Sequence, residues 1–516
     1  MTLRRLRTGS LTVIAGLVLC LFAPGSARAD LTPLPVLPPT ALSTPLAQAL
    51  TQVVTFINTY CTGTAALALA PLCQAAAEQA GTDAYVYGIA PMEFWRQAAK
   101  QTSVTVPNDL SDAPINQFGS AKYLATASAT NQVFVQPNND TLYSMAHLNL
   151  AAQPLVLSVP AVPNHRYYVL QFLDPYTNVF HYVGTRTTGD GAGRYLIAGP
   201  RWRGTVPTGV RLIRSPYDLA WIAGRTLVYG PSDLTEVHRI QQGYKLVPLS
   251  AYQRVGLNWT PPRPAVIRTQ HVNIQEPTGL AFFDKLGDVL KASPPPSVDN
   301  PVLTELRSIG VGPGLHPSTQ ALSAPIKAGL AAAANGGHDY IVNGRTTYAA
   351  ESALQHHGWF VPFADTGSFG TDYIWRAMVA VFGLAANRPV EAVYTIGVTD
   401  QYLQKLDGSG RYMIHFAAGA LPPARYFWSL TMYDANFFLV PNTLGRYALG
   451  NRSPSLVHNA DGSLDIYLSN AAPTGHLGNW LPAPAAGNFE VTLRMYGPSA
   501  SVLDDTYQYP SIQRVG

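Results

Sequence analysis

The 516-residue sequence predicts a mainly β protein with helical additions, in which one β domain occurs twice. Three observations carry this prediction. Charged residues make up only 12% of the chain, whereas 43 glycines, 42 prolines and 27 tyrosines are typical of short strands joined by turns. Short apolar runs divided by Gly, Pro, Asn and Asp fill two long stretches of the chain. Several motifs recur in the same order in both stretches.

The first 29 residues have the pattern of a secretory signal peptide. Arginines at positions 4, 5 and 7 precede the apolar run Leu11–Phe22, and an A-x-A cleavage site ends at Ala29. No later run is long and apolar enough to predict a membrane span. We therefore expect a product that begins near Asp30, lacks a transmembrane segment and lies outside the cytoplasm, in the periplasm, in the cell envelope or secreted.

Charge argues against nucleic acid as a partner. The chain has 34 Lys and Arg residues against 30 Asp and Glu, and four of the arginines lie in the signal peptide. The mature chain is thus electrically neutral, whereas a nucleic-acid binder needs an excess of basic side chains.

Residues 30–131 predict a helical lead. After a Pro-rich stretch over 30–40, Thr44-Pro45 is a suitable start for a helix whose apolar face runs from Leu46 to Ile57. A second helix is expected to begin after Pro71 and to continue to Tyr87. Cys61 and Cys73 bracket the turn between the two helices, and an oxidising compartment favours a disulfide between them.

The remaining chain divides into three parts. Residues 132–255 predict the first β domain, with strands to about Pro231 and a helix over 232–252. Residues 256–395 predict a connecting region of loops and helices at 282–290 and 325–334, with a buried helix at 371–382. Residues 396–516 predict the second β domain.

The two β domains share ordered motifs. A strand that begins with Arg-Tyr leads to Asp174 in the first and to Asp434 in the second, and an arginine precedes Tyr-Gly-Pro-Ser at Arg225 and Arg494. Matched motifs lie about 260 to 270 residues apart, which indicates two copies of one domain. Equivalent residues should then occupy equivalent strands.

Strand alternation assigns the faces of the last strand. Residues 489, 491, 493 and 495 are apolar and should face the core, whereas 490, 492, 494 and 496 should face outward or toward a partner. About eight such short strands in each half suit a sandwich or a jelly roll.

These motifs resemble two known domains of unknown function. The first half is similar to DUF1254 in the segments Asn139–Ser144, Arg166–Asp174, Tyr176–Asn178 and Gly224–Thr226, and the second half is similar to DUF1214 in Phe427–Asp434, Asp461–Leu464, Asn479–Pro484 and Arg494–Pro498. The resemblance implies two tandem jelly-roll-like β domains, reminiscent of double-jelly-roll capsid proteins. It implies no reaction and no catalytic residues.

The densest polar motif predicts a ligand site in the first half. Asp140 could act as an acceptor or base and Tyr143 as a donor, beside Asn139, Arg166 and Arg225. The structural alternative is that Asn139 and Asp140 start a turn by bonding the backbone, while Tyr143 packs.

Six arginines stand out in so charge-poor a chain: Arg166, Arg186, Arg225, Arg376, Arg446 and Arg494. Their guanidinium forks suit carboxylate or phosphate recognition, or pairing with Asp174, Asp434 or Asp461. Pairing is the preferred interpretation, because the repeat matches Arg and Asp positions.

Two tryptophans of the second half allow a sugar-binding surface or an ordinary core. Trp428 lies in an apolar strand and favours the core, whereas Trp480 lies in a loop and leaves both interpretations open.

Standard catalytic and cofactor motifs are absent from the sequence, and no cofactor is expected. The adjacent pair His356-His357 points its side chains apart, so no metal site is expected either.

Three function classes remain. The first is an exported protein that binds an envelope glycan or a small organic ligand. The second is a hydrolase or lyase that uses Asp140 and Tyr143, or Asp434, with an arginine. The third is a structural, self-assembling envelope protein, with which a homo-oligomer is compatible. Charge neutrality and the aromatic and amide side chains near Trp480 favour the first.

Overall fold

The computed structural model describes residues 46–63, 65–128, 135–262 and 264–515. The predicted signal peptide, the Pro-rich lead and the Thr44-Pro45 helix start lie outside the described residues. The described chain is mainly β with helical additions, as the sequence predicts.

Ten helices lie in the described residues. Their bounds are α1 Leu46–Tyr60, α2 Ala65–Ala68, α3 Ala70–Gln101, α4 Leu234–Gly243, α5 Leu249–Val255, α6 Leu280–Ala292, α7 Asn300–Ser308, α8 Ala324–Gln355, α9 Tyr373–Phe382 and α10 Ala500–Leu503. Six of them, α1, α3, α6, α7, α8 and α9, pack around one apolar core. Among the described residues, none of these helices is both long and apolar enough to cross a membrane.

Cys61 and Cys73 form the predicted disulfide, with 5.4 Å between their Cα atoms. Cys61 follows α1, and Cys73 lies in the first turn of α3. Both residues are buried. The predicted disulfide is confirmed.

Helix α3 runs 14 residues beyond its predicted end at Tyr87, to Gln101, and passes through Pro91. A proline inside a helix removes one N–H donor and leaves the carbonyl four residues earlier without its helical partner. Here the Arg376 guanidinium, carried by α9, donates to the Tyr87 carbonyl oxygen at 2.9 Å. Tertiary contact therefore replaces the missing backbone bond, and the helix continues.

Helices α3 and α8 are each 32 residues long and approach closely. A Cβ atom at Gly329 would lie 2.3 Å from the Gln74 carbonyl oxygen, and one at Gly337 would lie 2.4 Å from the Tyr85 ring. Glycine at these two positions is what permits the spacing.

The first half of the β structure contains nine strands: β1 Gly119–Ser120, β2 Thr141–Asn149, β3 Leu155–Val159, β4 Tyr168–Leu173, β5 Val179–Gly184, β6 Gly193–Ala198, β7 Arg211–Arg214, β8 Leu219–Leu227 and β9 Lys245–Pro248. They form a five-stranded sheet of order β1-β2-β8-β4-β5 and a four-stranded sheet of order β7-β6-β3-β9. The first sheet thus includes two residues that precede the predicted domain start at 132.

The second half also contains nine strands: β10 Trp359–Phe360, β11 Ala392–Gly397, β12 Tyr412–Phe416, β13 Ala424–Asp434, β14 Ala448–Gly450, β15 Leu464–Ser469, β16 Trp480–Pro482, β17 Phe489–Pro498 and β18 Ile512–Arg514. Their sheets have the orders β10-β11-β17-β13-β14 and β16-β15-β12-β18.

The two halves have the same strand order. Adding nine to each strand number of the first half gives the second, and the parallel pair β6–β7 recurs as the parallel pair β15–β16. Asp174 and Asp434 stand at the ends of β4 and β13, and Arg225 and Arg494 lie in β8 and β17. These positions agree with the sequence repeat. A jelly-roll topology for each half stays a prediction.

Strand β9 corrects the predicted helix over 232–252. The chain is helical in α4 and α5, but Lys245–Pro248 between them pairs antiparallel with β3. Helices form on both sides, as the pattern predicts. The residues between them are extended because they pair as the edge strand of the four-stranded sheet.

The buried side chains on each face of the strands show how the four sheets pack. Each half has its own apolar core, and a third cluster joins the five-stranded sheets to each other through side chains such as Met145, Trp221, Phe427 and Tyr496. The two five-stranded sheets therefore pack face to face, with a four-stranded sheet outside each.

Candidate functional site

A cavity lies where the two five-stranded sheets face each other, beneath helix α9. The centres of water-sized spheres can occupy about 120 Å³ of it. One water needs roughly 10–15 Å³ by this measure, so the space is enough for a small organic molecule. Its lining comes from both halves of the β structure and from the helical part.

One side of the cavity is apolar. The wall includes Phe360, Trp375, Met378, Val379, Phe382 and Ile396. Helix α9 presents four of these side chains, and its start is fixed by the Asp372 carboxylate, which accepts from the Trp375 N–H at 3.0 Å. An apolar ligand body would gain free energy by leaving water for this wall.

Two arginines at equivalent strand positions line the same cavity. Arg225 stands opposite Tyr143 on β2 and opposite Val169 on β4. Arg494 stands opposite Tyr394 on β11 and opposite Ser429 on β13. The repeat therefore brings one Arg–Tyr pair from each half to one site.

Each guanidinium is oriented in the same way. Arg225 donates from Nη1 to Gln171 Oε1 at 2.8 Å and from Nη2 to the Ala385 carbonyl at 2.9 Å. Arg494 donates from Nη1 to Thr431 Oγ1 at 2.8 Å, and from Nη2 both to the Gln136 carbonyl at 3.1 Å and to the Tyr433 hydroxyl at 2.6 Å. Gln171 and Thr431 occupy equivalent positions on β4 and β13, and each carbonyl belongs to the loop before the first long strand of the opposite half.

The paired tyrosines contact their arginines through the ring face. The Arg225 Cζ lies 5.8 Å from the Tyr143 ring centroid, and the Arg494 Cζ lies 6.0 Å from that of Tyr394. Burial raises the pKa of Tyr143, although the Arg225 charge opposes this, so the phenol keeps its proton at neutral pH. It accepts from the Asn138 N–H at 3.1 Å.

Carboxylates near the cavity are committed elsewhere. Glu391 accepts from Arg186 and from the Tyr167 hydroxyl, and Glu490 accepts from Arg345. No Asp or Glu is among the described residues that line the cavity. Within the described chain, neither Arg225 nor Arg494 has a carboxylate within ion-pair distance.

Two buried polar atoms in the cavity wall lack a hydrogen-bond partner in the described chain. They are Thr492 Oγ1 and Gln136 Nε2. Leaving a buried polar group unsatisfied costs about 1–3 kcal/mol, so such atoms call for an explanation.

Two family models match the chain, one in each half of the β structure. Residues 115–248 match DUF1254 and residues 391–500 match DUF1214, both described as proteins of unknown function. The chain contains one DUF1254 domain and one DUF1214 domain. The resemblance drawn from the sequence motifs is confirmed.

A solved structure shares this two-domain fold. The VPA0106 protein from Vibrio parahaemolyticus is 25% identical, has a TM-score of 0.59, and the match covers 85% of this chain and 100% of that one. An uncharacterized protein from Burkholderia cenocepacia is 12% identical with a TM-score of 0.41, over 91% and 95% of the two chains. No curated protein matches the chain.

The structure brings together two of the five predicted site residues. Tyr143 and Arg225 of the DUF1254 domain line the cavity, whereas Asn139, Asp140 and Arg166 do not. Asn139 donates to the Ala125 carbonyl, and Arg166 pairs with Asp233.

Asp140 holds the two domains together. Its Oδ1 accepts from Arg452 Nη2 at 2.6 Å, and its Oδ2 accepts from the Ser429 hydroxyl at 2.6 Å. Both partners belong to the DUF1214 domain, and Asp140 is 6% exposed. Nothing in this arrangement leaves the carboxylate available to a ligand in the cavity.

The prediction that the arginines pair with Asp174, Asp434 or Asp461 is wrong. Asp174 accepts from the N–H groups of Tyr176 and Asn178, and Asp434 from those of Asn436 and Phe438. Asp461 likewise bonds Ser463. The repeated aspartates shape turns, because a carboxylate two residues before a backbone N–H closes an Asx turn locally.

Sequence reasoning missed Tyr394, Trp375 and the role of Arg494. A usable signal existed for Arg494, since it is the repeat partner of Arg225 and lies on the outward face of β17. That face prediction is confirmed: Phe489, Val491, Leu493 and Met495 face the core, while Thr492, Arg494 and Tyr496 line the cavity. Trp480 proves to be a core residue that donates to the Ser469 carbonyl.

Proposed function

We propose that the protein binds a small organic anion in the cavity between its two β domains. The observation that carries this proposal is the presence of two buried guanidinium groups, from Arg225 and Arg494, that face one cavity without a carboxylate partner. Their relative exposures are 7% and 3%.

Charge balance supports this proposal. A guanidinium is not deprotonated in proteins, so both groups stay cationic. A buried charge is costly unless it is paired, and partial compensation by neutral amide, hydroxyl and carbonyl acceptors leaves net positive charge in the cavity. An anionic ligand supplies the missing compensation, because hydrogen bonds from a guanidinium to an anion are charge-assisted and strong.

The lining favours binding over hydrolysis. The described residues around the cavity include no His, Asp, Glu, Lys or Cys that could act as a general base or nucleophile at neutral pH. They also favour an organic anion over a neutral glycan, because a neutral sugar leaves both charges uncompensated.

The first test compares benzoate with its neutral analogue benzamide by isothermal calorimetry and thermal melting. We expect benzoate to bind and to raise the melting temperature, and benzamide to bind at least about tenfold more weakly, since a hydrogen bond to a charged group contributes about 1.5–3 kcal/mol. Equal affinity of the two, or binding of neither, contradicts the proposal.

The matched variants are Arg494→Gln and Arg446→Gln. Arg446 lies in the same domain and also donates to backbone carbonyls, those of Leu477 and Trp480, but it does not line the cavity. We expect the anion to stabilise the wild type and Arg446→Gln, and to lose most of its effect on Arg494→Gln. If Arg494→Gln does not fold, the comparison of benzoate with benzamide on the wild type decides.

A further inference from the structure

The two arginine sites of the cavity share three contacts, and the second site adds a hydrogen bond from Arg494 Nη2 to the Tyr433 hydroxyl at 2.6 Å. In each, the arginine lies over the ring of a tyrosine across the strand pair, donates to a polar side chain on the neighbouring strand, and donates to a backbone carbonyl in the loop before the first long strand of the opposite half. Arg225, Tyr143 and Gln171 form the first site, and Arg494, Tyr394 and Thr431 form the second.

We infer that the ligand is a dianion whose two anionic groups, carried on one apolar body, bind one to each arginine. This inference rests on the proposed function, since it specifies the anion that the cavity takes. It follows from the presence of two arginine sites, because a ligand with a single anionic group would occupy only one of them.

Charge balance supports two anionic groups. The third arginine of the lining, Arg345, is already neutralised, because its Nη2 lies 3.0 and 2.8 Å from the two Glu490 carboxylate oxygens. Arg225 and Arg494 therefore place two positive charges at the cavity, and neither has a carboxylate within ion-pair distance in the described chain. A monoanion neutralises one of them and leaves the other buried without a partner.

Separate anchoring favours two groups over one doubly charged group. Arg225 is fixed by the loop at Ala385 and Arg494 by the loop at Gln136, and these loops precede the first long strands of different halves of the β structure. Each fork is thus held on its own strand and its own loop, and each has its own tyrosine. Two planar carboxylates match two planar forks.

The spare polar atoms fit the same ligand. Thr492 Oγ1 and Gln136 Nε2 are buried in the wall without a partner in the described chain. Thr492 is two residues from Arg494 on the same face of β17, and Gln136 carries the carbonyl that anchors Arg494. A carboxylate bound at Arg494 brings acceptor oxygens to this side of the cavity. The apolar wall of α9 accommodates the ligand body.

The test compares four probes on the wild-type protein by calorimetry: benzoate, the three benzene dicarboxylate isomers as one set, phenyl phosphate and benzamide. We expect at least one dicarboxylate to bind ten times or more as tightly as benzoate, and more tightly than phenyl phosphate. If benzoate equals the best dicarboxylate, the dianion inference fails while the proposed function stands. If phenyl phosphate binds most tightly, both charges lie on one group and the two-group inference fails. If no anion binds better than benzamide, the proposed function itself fails.

Variants locate the two groups. Arg225→Gln and Arg494→Gln should each lower the affinity for the best dicarboxylate to about that of benzoate for the wild type, and Arg446→Gln should keep the wild-type preference. A variant of either cavity arginine that is folded by circular dichroism and retains the full dicarboxylate preference overturns the inference. If a variant does not fold, the wild-type probe series remains decisive.

Discussion

Asp83 is a buried acid, and one oxygen of its carboxyl group is unsatisfied in the described chain. It lies within α3, is 3% exposed, and its Oδ1 has no hydrogen-bond partner among the described residues. Burial raises its pKa from 3.8 to about 8, because a low-dielectric environment disfavours the charged form.

Asp83 should make stability fall as pH rises. The unfolded chain releases this proton near pH 4, whereas the folded chain holds it to about pH 8, so between these values folding takes up a proton. The free energy of unfolding then decreases with pH in this window, by up to about 1.4 kcal/mol per pH unit.

Asp83→Asn removes that dependence. We expect the stability of the variant relative to the wild type to increase between pH 5 and pH 8, as measured by urea unfolding at both values. A constant difference across this range would mean that the Asp83 carboxyl ionises in the folded protein at its ordinary pH.

At the residue scale, the sequence predicts the arginine and the tyrosine that the first half of the β structure contributes to the cavity. Tyr143 and Arg225 were predicted because polar side chains in an apolar, charge-poor setting need a partner. Asp140 met the same criterion and found its partners in Arg452 and Ser429, 312 and 289 residues away. Distances of that length along the chain are invisible to local patterns.

Pro91 and Arg376 both act on the Tyr87 carbonyl oxygen. The proline frees the Tyr87 carbonyl, and Arg376 of α9 occupies it while its guanidinium lies over the rings of Tyr87 and Tyr373, at 5.2 and 4.9 Å from the centroids. This contact helps to position α9, the helix that covers the cavity.

A double-mutant cycle tests the coupling. Arg376→Met should destabilise the protein by about 2–3 kcal/mol, because it leaves a buried carbonyl unsatisfied and removes the ring contacts. In a Pro91→Ala background the loss should be about 1 kcal/mol smaller, since the alanine N–H can bond the Tyr87 carbonyl. The measurement is urea unfolding of all four proteins, and additive effects would refute the coupling.

At the element scale, periodicity predicted most helices but not their lengths. α8 was expected over 325–334 and extends to Gln355, and α3 passes a proline that normally ends a helix. Packing of the two helices against each other, through Gly329 and Gly337, stabilises turns whose local propensity is low.

The whole molecule depends on contacts across the domain boundary, and the Asp140–Arg452 pair is one of them. Asp140→Asn breaks this ion pair, whose side chains are 6% and 21% exposed. We expect a loss of about 2–3 kcal/mol in the free energy of unfolding and an unchanged affinity for benzoate.

The control for Asp140→Asn is Asp218→Asn. Asp218 pairs with Arg201, whose side chain is 80% exposed, and such surface pairs contribute about 0–1 kcal/mol. Should Asp140→Asn keep its stability and lose benzoate binding, Asp140 would belong to the ligand site after all.

We also predict that the protein is exported and processed. The product isolated from the producing cells should begin at or near Asp30 and carry the Cys61–Cys73 bridge, because the A-x-A site precedes Asp30 and an oxidising compartment favours the disulfide. Intact and peptide mass spectrometry checks both features. Retention of Met1 in the isolated product would contradict the prediction.

The sequence by itself determined the fold class, the disulfide, the two related β domains and the outward face of β17. These features depend on local periodicity, on turn chemistry and on a repeat that can be read along the chain. Only the tertiary structure decided that the two five-stranded sheets pack face to face, that Arg225 and Arg494 meet at one cavity, and that Asp140 holds the domains together. The reason is physical: a side chain's free energy depends on which charges and acceptors surround it, and here these come from residues hundreds of positions away.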